Sequence, residues 1–225
     1  MAKFFGGVLM VFITIEGIEG TGKSTQASLL KSYLETSGKL ATLAVREPGG
    51  TLIGEKLREV LLNTQHEPID PWAELFMYEA CRAQLVKNVI RPALDLKKVV
   101  ICDRFVDSTV AYQGYGRELD IKAIDILNNL ATGGLAPDLT LLIDMTPEAG
   151  LKRALNRINR KNSNKKEDRF EKEAISFHQR VRQGFLEIAD KNPARVKVID
   201  GSGEIPLIHA QICDIIKKWG RLKTL

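Results

Sequence analysis

"VLMVFITIEGIEGTGKST", residues 8–25, decides how the chain is read. A nearly unbroken apolar run, 8–16, meets a glycine-rich turn that ends in Lys23, Ser24 and Thr25. Such a run reads as a strand buried on both faces, as strands of a parallel sheet are. The spacing from Gly17 to Ser24 is GxxxxGK[ST], the pattern of a loop whose successive backbone N–H groups wrap a phosphate chain. Those torsions come cheaply only to glycine. A helix opening at Lys23 adds the positive end of its dipole. Gly17, Ile18, Glu19, Gly20, Thr21, Gly22, Lys23, Ser24 and Thr25 are therefore expected to hold a nucleoside triphosphate. In that pattern Lys23 bridges the β- and γ-phosphates and the Ser24 hydroxyl ligates Mg²⁺.

Outward from this stretch, four more apolar runs read as strands: 41–46, 98–103, 139–144 and 196–200. Helical patterns lie between them, over Lys23 to Ser37, Gly54 to Leu62, Pro71 to Leu94, Ile121 to Ala131, Pro147 to Arg157, Phe170 to Asp190 and Pro206 to Trp219. The alternation predicts an α/β fold: a doubly wound, five-stranded parallel sheet with helices on both faces, in one domain over 1–225. Residues 1–9 are expected to be an extension, with Met10 an alternative start. "INRKNSNKKED" (158–168) has almost no apolar residue and reads as a mobile lid joining two helices.

Composition narrows the function. The net charge is +5, yet seven cations, Lys152, Arg153, Arg157, Arg160, Lys161, Lys165 and Lys166, stand together with no acid among them. A cluster exceeding the whole net excess suits a phosphate-rich ligand, so no nucleic acid is expected. There is no run of 18 apolar residues, and no membrane association is expected. Cys81, Cys102 and Cys213 read as buried free thiols, and His66, His178 and His209 have no ligand-like spacing. A reducing, cytoplasmic setting follows.

The fate of the phosphate is set by other residues. Asp103 ends the 98–103 strand, the usual place for an aspartate serving Mg²⁺ beside such a loop. No Asn-Lys-x-Asp base-reading motif of a GTP switch occurs, since "NKKED" (164–168) has the wrong order. Arg46, Arg58 and Arg104 fall at strand ends or in loops on the glycine-loop side, and Arg82 lies on the helix after Pro71. Ligands of such sheets bind at the carboxyl ends of the strands. A second anion site facing the first points to transfer onto a phosphorylated acceptor.

"GIEGTGKST", "REPGGT", "AELFMYEACRAQL", "DRFVDSTVAYQG", "PDLTLLID" and "EDRFE", in this order, resemble the thymidylate kinase family from about Phe12 onward. The resemblance implies ATP, Mg²⁺ and dTMP as ligands, dTDP as product, and a homodimer. It implies that Glu19 sits near the acceptor 3′-hydroxyl or the metal, and that Arg46 and Arg104 hold the acceptor phosphate. Pro48 would pack by the base, Arg58 would add a contact, and Tyr78 and Arg82 would stack on and bond thymine. Thr109 and Gln113 would approach the base from the other side, and Tyr112 would exclude a ribose 2′-hydroxyl. Some relatives carry an arginine inside the phosphate loop; here Gly20 follows Glu19. The lid must then supply one, with Arg157 first and Arg153, Arg160 and Arg169 as further candidates. Lys23, Arg157, Arg104 and Glu19 form the expected catalytic set. A deoxynucleoside kinase, with Glu47 as base, or another nucleoside monophosphate kinase is the alternative reading.

Overall fold

The computed structural model describes residues 10–63, 68–161 and 169–222, and of 157–161 the backbone alone. Five parallel strands, β1 (Val11–Glu16), β2 (Thr42–Arg46), β3 (Val99–Asp103), β4 (Leu139–Asp144) and β5 (Val196–Asp200), line up in the order β2-β3-β1-β4-β5. All five lie within the expected runs. The chain builds one side of the sheet through β3, then crosses β1 to build the other. That reversal opens a crevice beyond the carboxyl ends of β1 and β3.

Period-two alternation along β1 serves both faces. Val11, Ile13 and Ile15 join a core with α1 (Lys23–Thr36) and α9 (Ile205–Trp219). Phe12 points the other way and packs edge-on to Phe105, ring centres 4.9 Å apart. That second face is covered by α3 (Pro71–Leu85), α4 (Arg91–Asp95) and α8 (Ile175–Lys191). Burying each such side chain is worth about 1.5–3 kcal/mol, so the sheet's two-sided apolar character is the main source of its stability. The remaining helices are α2 (Leu52–Leu62), the short α5 (Val106–Thr109), α6 (Ile121–Thr132) and α7 (Pro147–Lys161).

Four helical expectations are corrected. Pro71 to Leu94 is one run in sequence, but a π-type stretch, Val86–Ile90, separates α3 from α4. Pro92 lacks an N–H and falls at the first positions of α4, so the ladder is interrupted where proline cannot donate. Residues 106–116, with no helix expected, wind as α5 and then a π-type stretch, Val110–Gly116. Gly114, Gly116 and the β-branched residues there disfavour helix locally, and packing against α8 overrides them. The Phe170 to Asp190 run is broken by extended backbone at Glu173 and Ala174, between a 3₁₀ turn (Phe170–Lys172) and α8. Finally, α7 continues to Lys161, so residues 158–161 of the expected lid are helical; nothing in that stretch breaks a helix. The expected extension 1–9, lid residues 162–168 and His66 lie outside the described residues.

Candidate active site

The turn between β1 and α1 is shaped by glycines in two ways. Gly22, at φ 88°, has open space where a side chain would go, so backbone conformation alone demands glycine there. Gly20, at φ 75°, is also sterically closed: a Cβ would run into the carbonyl oxygen of Gly150 on α7. Gly150 in turn would bring a Cβ within 2.5 Å of the Glu19 carbonyl oxygen. Helix α7 therefore docks directly on the loop, and no arginine can occupy position 20. Ile18 turns its side chain into the core, and its carbonyl accepts from Lys23 Nζ at 2.6 Å and Thr21 Oγ1 at 3.1 Å. Lys23 is buried, which pulls its ammonium down to about 8; Arg104 adds to the shift and Asp103, Glu19 and Glu16 oppose it.

Arg104 follows β3 with φ 70°, a left-handed conformation rare for a side chain other than glycine. Buried Glu16 holds the turn in place: its carboxylate accepts from Phe105 N at 2.7 Å and Ser108 Oγ at 2.6 Å. Burial, with Asp107 nearby, pushes Glu16 up to about 8. The guanidinium of Arg104 so placed bonds Glu19 Oε1 and Tyr112 Oη, each at 3.0 Å, and the Gly17 carbonyl at 3.2 Å. Tyr112 donates to the same Glu19 oxygen at 2.6 Å, and its ring is boxed by Phe170, Phe177 and Phe185. His178 Nδ1, fully buried on α8, lies 3.4 Å from the other oxygen, Glu19 Oε2. Burial works against a charge on Glu19, but His178, Arg104, Lys23 and Tyr112 outweigh it and hold the carboxyl down to about 2. Glu19 is thus an anion at any physiological pH.

On the far side of the crevice, Arg46 pairs with Glu55 at 2.9 Å, and Arg58, which lies within α2 and not at a strand end or in a loop as expected, donates to the Pro48 carbonyl at 2.9 Å; the Glu47–Pro48 bond is cis. Arg82 is almost wholly withdrawn from solvent. Its Nε and Nη2 bond Glu47 Oε2 at 2.9 and 2.7 Å, and Nη1 reaches Glu79 and Asn128 at 2.7 and 2.8 Å. Four of its five donors are used, which leaves one N–H for a ligand. Glu47, the candidate base of the alternative reading, lines the same cleft: Oε2 is taken by Arg82, Oε1 has no partner among the described residues, and burial pushes its carboxyl up to about 7.

Ser24 Oγ hydrogen-bonds Asp103 Oδ2, so a hydroxyl and a carboxylate meet at the mouth of the phosphate loop. Among the described residues no group of three His, Cys, Asp or Glu could hold a metal alone. Mg²⁺ commonly takes one or two protein oxygens plus substrate phosphates, and this pair fits that donor set.

All ten expected acceptor residues, Glu19, Arg46, Pro48, Arg58, Tyr78, Arg82, Arg104, Thr109, Tyr112 and Gln113, line one cleft. Glu19, Gly20, Gly22, Lys23, Ser24, Thr25 and Asp103 line it too; Gly17, Ile18 and Thr21 do not. Of the lid candidates, Arg153 is drawn elsewhere, to the carbonyls of Gly201 and Ser202 at 2.8 and 2.7 Å, whereas Arg169 lines the cleft and bonds Glu74. The side chains of Arg157 and Arg160 lie outside the described residues. Sequence reasoning missed Glu16, Glu74, Ser108 and His178. Glu16 precedes the loop in an apolar strand, where a lone acid was a visible oddity. His178 carried no signal, because only the approach of α8 brings it to Glu19. The three cysteines are free and buried.

Comparison with known proteins agrees with this geometry. A family model described as thymidylate kinase matches residues 15–212. A thymidylate kinase of Citrifermentans bemidjiense is 53% identical over 214 residues, 95% of this chain and 93% of the relative. One of Desulfosudis oleivorans is 50% identical over 86% of this chain and 90% of the relative. The crystal structure of thymidylate kinase from Ehrlichia chaffeensis superposes with a TM-score of 0.73 at 37% identity, covering 92% of this chain and 98% of that one.

Proposed function

The chain belongs to the thymidylate kinase family, and from that premise we propose how its own residues divide the work. It phosphorylates dTMP to dTDP at the expense of ATP. The observation that carries the proposed division is that one cleft joins the phosphate loop to an arginine-bearing wall. ATP lies along the loop, with Lys23 and the N-terminus of α1 on its phosphates. The dTMP phosphate is held by Arg46, Arg58 and Arg104, and its base by Pro48, Tyr78, Arg82, Thr109 and Gln113. Tyr112 and Glu19, locked together, take the sugar edge. Ser24 and Asp103 hold Mg²⁺, which when bound neutralises charge on the transferred group.

The acceptor is a phosphate monoester, largely a dianion at neutral pH, so no general base is needed. What the residues supply is alignment of two polyanions and cancellation of their charge. Feeding dTMP or thymidine to the enzyme with ATP tests this: ADP release should follow dTMP and not thymidine. A preference for thymidine would favour the deoxynucleoside kinase reading.

Arg157 completes the set from the lid side. It stands seven residues after Gly150, two turns along the same face of α7, about 10 Å from the point where that helix touches the loop. Arg157→Ala is expected to lower kcat at least about a hundredfold with dTMP KM within about twofold, the pattern of a contact made in the transition state. Near-normal turnover would contradict the role.

Trp72 with Phe76 on α3, and Ile126 with Leu130 on α6, are exposed apolar pairs on helices that pack together, which supports a homodimer. Among the described residues no helix is long and apolar enough to cross a membrane. A single catalytic domain working in the cytoplasm, without nucleic acid, fits the free thiols and the small-ligand cleft.

A further inference from the structure

Glu74 lies in the first turn of α3 and is fully buried, yet it is not among the residues expected to touch any ligand. Its partners come from two other parts of the chain. Oε1 accepts from Gln113 Nε2 at 2.7 Å and from Arg117 Nε at 3.3 Å. Oε2 accepts from Arg117 Nη2 at 3.3 Å and from Arg169. Gln113 and Arg169 line the cleft; Glu74 stands behind them.

A carboxylate between two guanidinium groups can only accept. It therefore fixes which way round the Gln113 amide sits: Nε2 is drawn to Glu74, and Oε1 is the end left for a ligand. Thymine offers a donor, N3–H, flanked by carbonyl oxygens. Cytosine has a bare acceptor nitrogen at the same position. An amide oxygen facing the base suits the first and opposes the second, because two acceptors would be left unpaired in a buried site.

We propose that Glu74 is a positioning residue that sets base specificity, by forcing Gln113 to present an acceptor to thymine. The proposal rests on the reading that Gln113 faces the acceptor base. A neutral amide at position 74 could donate as well as accept, and Gln113 would then be free to turn over.

The test is kcat/KM for dTMP and dCMP in the full-length enzyme. Glu74→Gln is expected to reduce the dTMP:dCMP ratio about tenfold to a hundredfold. In the Gln113→Ala background the same change is expected to move the ratio by no more than about twofold, since Glu74 would have nothing to orient. The exchanged pair, Glu74→Gln with Gln113→Glu, is expected to restore the preference: the amide donates to the new carboxylate, whose other oxygen faces the base. An unchanged ratio in Glu74→Gln, with both acceptors slowed equally, would show a purely structural role and overturn the proposal. If Glu74→Gln does not fold, the exchanged pair decides alone: retained preference supports it and lost preference overturns it. A wild-type enzyme indifferent between dTMP and dCMP would instead sink the reading of Gln113 on which the proposal stands.

Discussion

Lys23→Ala is expected to lower kcat on the order of a thousandfold, because it removes a preorganised charge aimed at the phosphate being transferred. The ammonium is held in place before any nucleotide arrives: it is buried and donates to the Ile18 carbonyl of its own loop at 2.6 Å. Little reorganisation is then needed when a phosphate replaces that carbonyl. Burial, with the neighbouring Arg104, has already lowered the ammonium to about 8, so the free enzyme loses this proton near the upper edge of the physiological range. The protonated form is the one that binds phosphate. ATP affinity of the wild-type enzyme should therefore fall as pH rises through about 8, and Lys23→Ala should not show that fall. Steady-state turnover and ATP titrations between pH 7 and 9.5 measure both. A variant within tenfold of wild type would remove Lys23 from the chemistry.

Arg82→Leu is expected to destabilise the fold by about 3–5 kcal/mol, the cost of breaking a buried ion pair by deleting one partner. Glu47 and Glu79 both lean on this guanidinium, and all three are buried. Without it two carboxylates remain in a water-poor site with no cation, and Asn128 loses its donor. Arg82→Lys should recover little, because an ammonium cannot reproduce a planar fork that serves Glu47 through Nε and Nη2 together. Neutralising the acids as well, with Glu47→Gln and Glu79→Gln in the leucine variant, should regain part of the loss. Urea unfolding distinguishes these outcomes. A single-variant loss below about 1 kcal/mol would mean that water reaches the acids and that they are not held as the geometry indicates.

How much of this was legible in the sequence follows from where each signal resides. The strands were readable because both faces are covered, so each became a short apolar run ending near a turn, and their bounds shifted by three residues at most. The phosphate loop was readable because its glycines answer to local backbone conformation and to two close approaches, of Ile143 to Gly17 and of Gly150 to Gly20. Helix 106–116 was not, because its stability comes from α8 and not from Gly114, Gly116 or the β-branched residues in it. The site residues named in advance belong to short motifs in which neighbours in sequence are neighbours in space. Glu74 and His178 escaped for the opposite reason: Glu74 meets Gln113 from 39 positions away, and His178 meets Glu19 from across the fold. Long-range pairs of polar groups leave no period or spacing to detect. Glu16 was a missed opportunity, since an acid closing an apolar strand needs a partner, and Phe105 N and Ser108 supply it.

The central claim is that two anion-binding halves of one cleft work at the same time, with Arg104 and Glu19 between them. Calorimetric titration of dTMP into enzyme saturated with a non-hydrolysable ATP analogue tests it most directly. One dTMP per chain should bind while the analogue stays in place, with Lys23→Ala weakening the analogue far more than dTMP. Mutual displacement of the two nucleotides, as if both occupied a single site, would contradict it.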